Sequence, residues 1–234
     1  MSSFMQQRRE ERMILSPYAE EVDVRTYNMV LGGVVLYGLV LNIIMCAVLG
    51  DRMTHVNPLF LLIGYIVCCV AGMLMSSKSD NPVISFIGYN LIVVPVGLVV
   101  SLVVSVYVRA GAGDIVLQAI IYTAIITGCM IGLSIALPDF FAKLGGLLLG
   151  ALIGLVIAEL INIFFIHADQ NYLAWIGAAI FSLYIGYDYW RAQQYPKTLD
   201  NAVDSAVDIY LDIINLFLRI LRVLGSRGGS SRRR

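Results

Sequence analysis

Six apolar stretches, each close to the length that crosses a bilayer, govern what this chain of 234 residues can fold into. They run over 27–49, 58–75, 82–108, 115–137, 144–166 and 172–189. A helix needs about 20 apolar residues to span the hydrocarbon core, because each residue advances it by only about 1.5 Å. Within each stretch the apolar residues are continuous and do not alternate, which argues against a β-barrel. Composition agrees: 59% of residues are hydrophobic, 14% are charged and the mean hydropathy is +0.82. A soluble domain is roughly 45–50% apolar and about 25% charged. A soluble enzyme, a disordered chain and a nucleic-acid binder are therefore excluded. What remains is an all-α integral membrane protein whose first partner is the lipid bilayer. Sixteen basic residues balance sixteen acidic ones, so the net charge carries no message and their placement carries it instead.

Prolines punctuate the stretches. Pro58 and Pro82 stand where helices begin, since the first turn does not use their missing N–H. Pro138 closes the fourth stretch, and Pro95 is expected to kink the third. Residues 1–26 form a polar tail of mixed charge (Arg8, Arg9, Glu10, Glu11 and Arg12 among them). Its acids, and the long apolar run after it, do not fit a signal peptide. The intervening breaks are too short to hold a soluble domain, so 27–224 reads as one membrane domain and 225–234 as a flexible basic tail. Gly146, Gly150 and Gly154 form two overlapping GxxxG units, which predict close helix packing.

A seventh segment, 201–224, is apolar on most faces but carries Asp204, Asp208, Asp212, Asn215, Arg219 and Arg222. At 100° per residue these positions stay within an arc of roughly 80°, so one narrow polar stripe runs along the helix. It is acidic first and basic last, which suits the helix dipole. One reading is an amphipathic helix lying on the membrane surface, although such helices favour Lys and Arg over Asp. The other is a helix packed inside a bundle, with its stripe facing a polar cavity. Charge does not decide whether this segment crosses. Positive residues collect on the cytoplasmic side. If the segment crosses, the sixteen basic residues divide eight against eight; if it re-enters or lies flat, they divide fourteen against two.

Few residues could carry chemistry. His55 and His167 lie far apart in loops, and no metal-binding spacing or nucleophile with a base is visible. Cys46, Cys68, Cys69 and Cys129 lie inside the apolar stretches and read as buried, reduced thiols. No cofactor is expected. Carboxylates within the membrane are the exception, because each costs roughly 2.5–3.5 kcal/mol to insert. Asp51, Asp80, Asp114, Asp139 and Asp169 sit at segment ends, where water reaches. Glu159 lies inside the fifth stretch, where it can serve an ion pathway or pair with an arginine. Asp188 closes the sixth, and Asp212 lies mid-stripe in the seventh.

Tyr187–Asp188, followed 24 residues later by Asp212 within Tyr210–Leu211–Asp212–Ile213–Ile214–Asn215–Leu216–Phe217, resembles the C-terminal signature of the Bax inhibitor-1 family. Upstream, Pro138–Asp139–Phe140, Gly145–Gly146, Gly150 to Leu155 and Asn162 to Phe165 are similar to that family's fifth-helix region, and Asn57–Pro58 and Gly88–Tyr89 are further matches. The similarity covers most of 27–224 and points to a bacterial member, in the cytoplasmic membrane. It implies a seven-helix bundle with the last helix central, wrapped by two layers of three helices. It also implies a pH-sensitive calcium leak, with Ca²⁺ and protons as the species handled and a monomer sufficient. Asp188 and Asp212 then form a proton-sharing pair, joined in the ion pathway by Asp204, Asp208, Glu159, Arg219 and Arg222. The family can carry a basic partner for the pair in its second helix, but residues 58–75 contain no Lys or Arg.

The chemistry of these residues fits that role. Two carboxylates close together in low dielectric cannot both ionise cheaply, so they share one proton near neutral pH. Ionised, Asp188 and Asp212 offer hard oxygens to Ca²⁺, which prefers about six to eight of them. Two carboxylates therefore bind it weakly, as transit requires. One geometric expectation opposes the pairing. A simple hairpin turning at 195–198 sets Asp188 level with about residue 205 and leaves Asp212 near 10 Å deeper. Asp204 or Asp208 would then lie nearer, unless the sixth helix runs past Arg191. Two other functions stand beside the leak. One is a membrane regulator that binds another membrane protein or a protease. The other is an intramembrane aspartyl protease, but Ile209, Tyr210 and Leu211 stand before Asp212 where presenilin-type proteases have Gly-x-Gly. The chain is therefore not expected to be an enzyme.

Overall fold

A computed structural model of the chain describes residues 12–13, 20–53, 57–78, 81–167 and 171–231. Each of the seven expected segments is a helix: α1 Val24–Met53, α2 Pro58–Lys78, α3 Pro82–Arg109, α4 Gly113–Ala136, α5 Gly145–Ile161, α6 Asn171–Ala192 and α7 Leu199–Ser231. A short helical turn, Pro138–Ala142, lies between α4 and α5. Proline opens α2, α3 and this turn, as the sequence suggests. α3 continues through Pro95, whose ring brings no N–H to the ladder. α7 runs to Ser231, past the end near 224 that composition suggested, and 232–234 lie outside the described residues. Among the described residues the only strand-like pairing is one isolated antiparallel bridge, Glu21 to Thr198.

Beyond Ile161 the α5 backbone widens into a π-helical turn, Asn162–Ile166. It stops at His167, whose φ of 54° is the left-handed conformation that ends helices. The His167 N–H donates to the Asn162 carbonyl at 2.8 Å.

Among the described residues, five segments are long and apolar enough to cross a membrane on their own: Val24–Gly50, Leu59–Ser76, Pro82–Arg109, Gly113–Ala136 and Gly145–Ile166. They expose large apolar side chains, including Phe60, Val67, Leu147 and Phe165, as lipid-facing helices do. The sixth stretch, expected to match them, falls short. Its second half carries Tyr184, Tyr187, Asp188, Tyr189 and Arg191, which need protein around them. α7 also falls short by composition, yet it is covered all round: from 201 to 225 only Arg222 is exposed. A helix lying on the bilayer surface would leave its polar face open. The burial of α7 does not fit that arrangement.

The chain divides into two compact units. The first comprises the described residues of Met1–Val106 and Ala192–Tyr210. Its core holds Tyr27, Tyr89, Ile92, Val93 and Tyr210, with the Tyr89 and Tyr210 rings edge to face at 5.7 Å. Asn42 Nδ2 donates to the Tyr210 hydroxyl at 2.5 Å, and the Tyr89 hydroxyl donates to the Val34 carbonyl at 2.9 Å. α2 and α3 touch backbone to backbone through two glycines. A Cβ on Gly72 would stand 2.5 Å from the Gly88 carbonyl, and one on Gly88 would stand 2.8 Å from the Gly72 carbonyl. Gly72→Leu should therefore force the helices apart and cost about 3 kcal/mol or more. Gly64→Leu, also on α2 but facing open space, should cost little. Thermal melts of both variants in detergent test this, and equal melting temperatures would contradict the contact.

The second unit comprises Tyr107–Arg191 and Leu211–Arg234. Phe141, Leu144, Leu148 and Tyr187 form a buried cluster with Met130, Leu183, Tyr184 and Trp190 packed against it. The GxxxG expectation fails here. A side chain added at Gly146, Gly150 or Gly154 would meet nothing within 4 Å. The spacing places these glycines on one face of α5, but it does not say which face.

Candidate functional site

The polar stripe of α7 is met by charge along much of its length. At its start, in the first unit, Asp204 is buried and accepts a hydrogen bond from the Ser76 hydroxyl of α2. Asp200, one turn earlier, accepts from Ser85 of α3 at 2.5 Å. Asp208 is half-buried. The basic group facing these acids is Arg12. Its guanidinium lies 3.9 Å from Asp204 Oδ2 and 3.8 Å from Asp208 Oδ2. The turn from α6 into α7 is fastened beside it. Lys197 Nζ donates to the Gln193 and Tyr195 carbonyls at 2.7 and 3.1 Å, satisfying acceptors beyond the end of α6. Burial pushes the Lys197 ammonium below its ordinary pKa. Val22 N–H donates to the Lys197 carbonyl at 2.7 Å, and the Tyr27 hydroxyl donates to the Ala192 carbonyl at 2.8 Å.

In the second unit, Asp188 on α6 and Asp212 on α7 are both buried. Tyr184 lies one turn before Asp188 on α6. Arg191 Nη2 stands 3.1 Å from Asp188 Oδ1, an i,i+3 ion pair on α6. α6 ends at Ala192 and α7 begins at Leu199, so the turn lies close to where the hairpin argument put it. Asp204 has Arg12, Asp200 and Asp208 as its charged neighbours.

Further along α7, Arg219 forms an ion pair with Glu159 of α5. The partnership sits within the membrane-spanning part of α5, where neither charge alone is cheap. Gly177 of α6 makes room for it, since a Cβ there would stand 2.9 Å from Arg219 Nε. The Phe181 ring lies 5.9 Å from the guanidinium carbon. Arg222 is exposed.

All the sequence-derived site residues on α5, α6 and α7 are thus buried or half-buried except Arg222. Three features were not anticipated. Arg12 read only as one charge in a mixed tail. Arg191 read as a loop charge. Tyr184 gave no signal beyond its spacing of one helical turn from Asp188. The four cysteines are free thiols, as expected, but none is fully buried: Cys46, Cys68 and Cys69 are half-buried and Cys129 is exposed. His55, Asp80 and Asp169 lie outside the described residues. Among the described residues no group of three or more His, Cys, Asp or Glu side chains could hold a metal ion.

Comparison with known proteins gives a family. The model described as "Inhibitor of apoptosis-promoting Bax1" matches residues 20–229. An uncharacterized protein of Helicobacter pylori is 35% identical over 154 residues, covering 65% of each chain. A "BI1-like protein" of Arabidopsis thaliana is 35% identical over 129 residues, covering 53% of this chain and 50% of the relative. "Inner membrane protein YbhL" of Escherichia coli is 29% identical over 147 residues, covering 56% and 58%. In all three the match spans less than two thirds of the relative's length.

Proposed function

The chain belongs to the Bax inhibitor-1 family of integral membrane proteins, and from that premise we propose that it is a pH-sensitive calcium leak gated by a proton shared between Asp188 and Asp212. The observation that supports this reading is the burial of two carboxylates, Asp188 on α6 and Asp212 on α7, within apolar helices. With both groups withdrawn from water, a second negative charge is costly and one proton is held between them. The proton's presence decides whether the pair is singly or doubly negative, which in turn decides how strongly a passing cation is attracted.

Arg191 has a defined part in this scheme. Its guanidinium beside Asp188 supplies the pair with a basic partner from α6 itself, and it competes with Ca²⁺ for that carboxylate. Two carboxylates hold Ca²⁺ far more loosely than a six- to eight-oxygen cage, so the ion passes rather than stays. Asp204 and Asp208 stand earlier on the same α7 stripe. Similarity to bacterial relatives, one of them named an inner membrane protein, supports the bacterial cytoplasmic membrane as its home.

Proteoliposomes loaded with a calcium-sensitive dye test the reading. Purified protein should carry Ca²⁺ inward faster than empty liposomes, and the rate should rise with pH between about 5 and 8 as the pair loses its proton. Flux equal to that of empty liposomes at every pH would overturn it.

A further inference from the structure

The first turns of α7 hold a cation of the chain's own. Arg12 Nε donates to Asn201 Oδ1 at 3.2 Å, and its Nη2 donates to the Asn201 carbonyl at 3.2 Å and to Ser205 Oγ at 2.9 Å. Its guanidinium carbon lies 4.1 Å from the centre of the Tyr195 ring. The carboxylates of Asp204 and Asp208 flank it at 3.9 and 3.8 Å. Asn201 Nδ2 in turn reaches the Arg12 carbonyl at 3.5 Å. Hydrogen-bond acceptors in the plane, an aromatic face and two acids together match what a guanidinium presents: a planar fork of five donors with a polarisable face. An ammonium, which is a compact point charge, would use neither the fork nor the stacking. Arg12 sets its positive charge beside two carboxylates, so removing it would raise the attraction of this place for another cation.

We propose that Tyr195, Asn201, Asp204, Ser205 and Asp208 form a guanidinium-binding site, and that its resident ligand, Arg12, keeps other cations from the acidic start of the α7 stripe. The binding half stands on the contacts alone; the exclusion half rests on the leak reading. Arg12 is a tethered competitor: a diffusing cation gains access to Asp204 and Asp208 only while the guanidinium is displaced. No position in α2 is needed for this, because the residue comes from far upstream in the chain.

Trypsin separates the two halves. To cut after Arg12 the protease must take that side chain into its own acidic pocket, so the cleavage rate follows the population in which Arg12 is disengaged. In detergent-solubilised full-length protein, with products identified by mass, Asp204→Asn/Asp208→Asn should speed cleavage after Arg12 by about tenfold or more, the factor for losing charge-assisted contacts. Asp208→Asn alone, at the half-exposed position, should give a smaller rise in the same direction. It also serves if the double variant melts early. Equal cleavage rates in the folded variants and the parent would overturn the site. Arg12→Gln should raise Ca²⁺ flux in proteoliposomes severalfold. Protection from trypsin with unchanged flux in Arg12→Gln would overturn the exclusion half. Protection with no flux from either protein would leave the binding site standing and overturn the leak reading instead.

Discussion

Replacing Asp212 with asparagine should remove the pH dependence of Ca²⁺ flux. Asparagine keeps the size of the side chain and its capacity for hydrogen bonds, but no longer titrates. A leak governed by one shared proton changes by about threefold over the pH unit centred on its midpoint, and by at most about tenfold per unit well below it. The variant should change by less than about twofold from pH 5 to 8, because the remaining carboxylate has no partner with which to share a proton. Asp212 is a cleaner test than Asp188. Removing the latter also deprives Arg191 of the carboxylate 3.1 Å away and mixes two effects. Dye-loaded proteoliposomes read both proteins, and a variant that keeps the parental slope would show that the pair does not sense protons.

Arg219→Ala should produce a large loss of stability. It strips Glu159 of its ion-pair partner within a membrane-spanning stretch, where an isolated charge costs roughly 2.5–3.5 kcal/mol. The melting temperature in detergent should fall by several degrees, and the loss should be greater than that of Glu159→Gln/Arg219→Gln, which removes both charges together. The interaction energy between the two sites follows from the complete mutant cycle. If Arg219→Ala melts no earlier than the double variant, the pair contributes nothing to the fold.

The two expectations differ in how far they were visible beforehand. Continuous apolar runs and the prolines at 58, 82 and 138 announced the helices, because crossing a bilayer demands length and closed backbone hydrogen bonding. The aspartates announced themselves for the opposite reason: a carboxylate in an apolar run is too costly to be incidental. Partners were harder to see. Glu159 and Arg219 stand 60 residues apart, and only the packing of α5 against α7 joins them. Arg12 lies 189 residues from Asn201, in a tail whose neighbouring charges have both signs, so no local pattern singles it out. The glycines of α5 gave a misleading signal: GxxxG spacing is a statement about one helix face, and contact needs a second helix on that face. Gly72 and Gly88, without such a pattern, make the contact instead.

The first compact unit is discontinuous, with 85 residues of the other unit, Tyr107–Arg191, interposed between its two parts. During synthesis, α1, α2 and α3 leave the ribosome well before the segment that completes them. At about 5–20 residues per second, the roughly 100 residues from the end of α3 to Tyr210 take on the order of 5–20 s. Through that interval Asn42 lacks Tyr210, Ser76 lacks Asp204, and Tyr27 lacks the Ala192 carbonyl. The early helices must therefore wait in the bilayer or the insertion machinery with polar side chains unmatched. A nascent chain stopped before α7 would be one for quality control to remove, because both units lack strands of their own fabric until the last helix arrives.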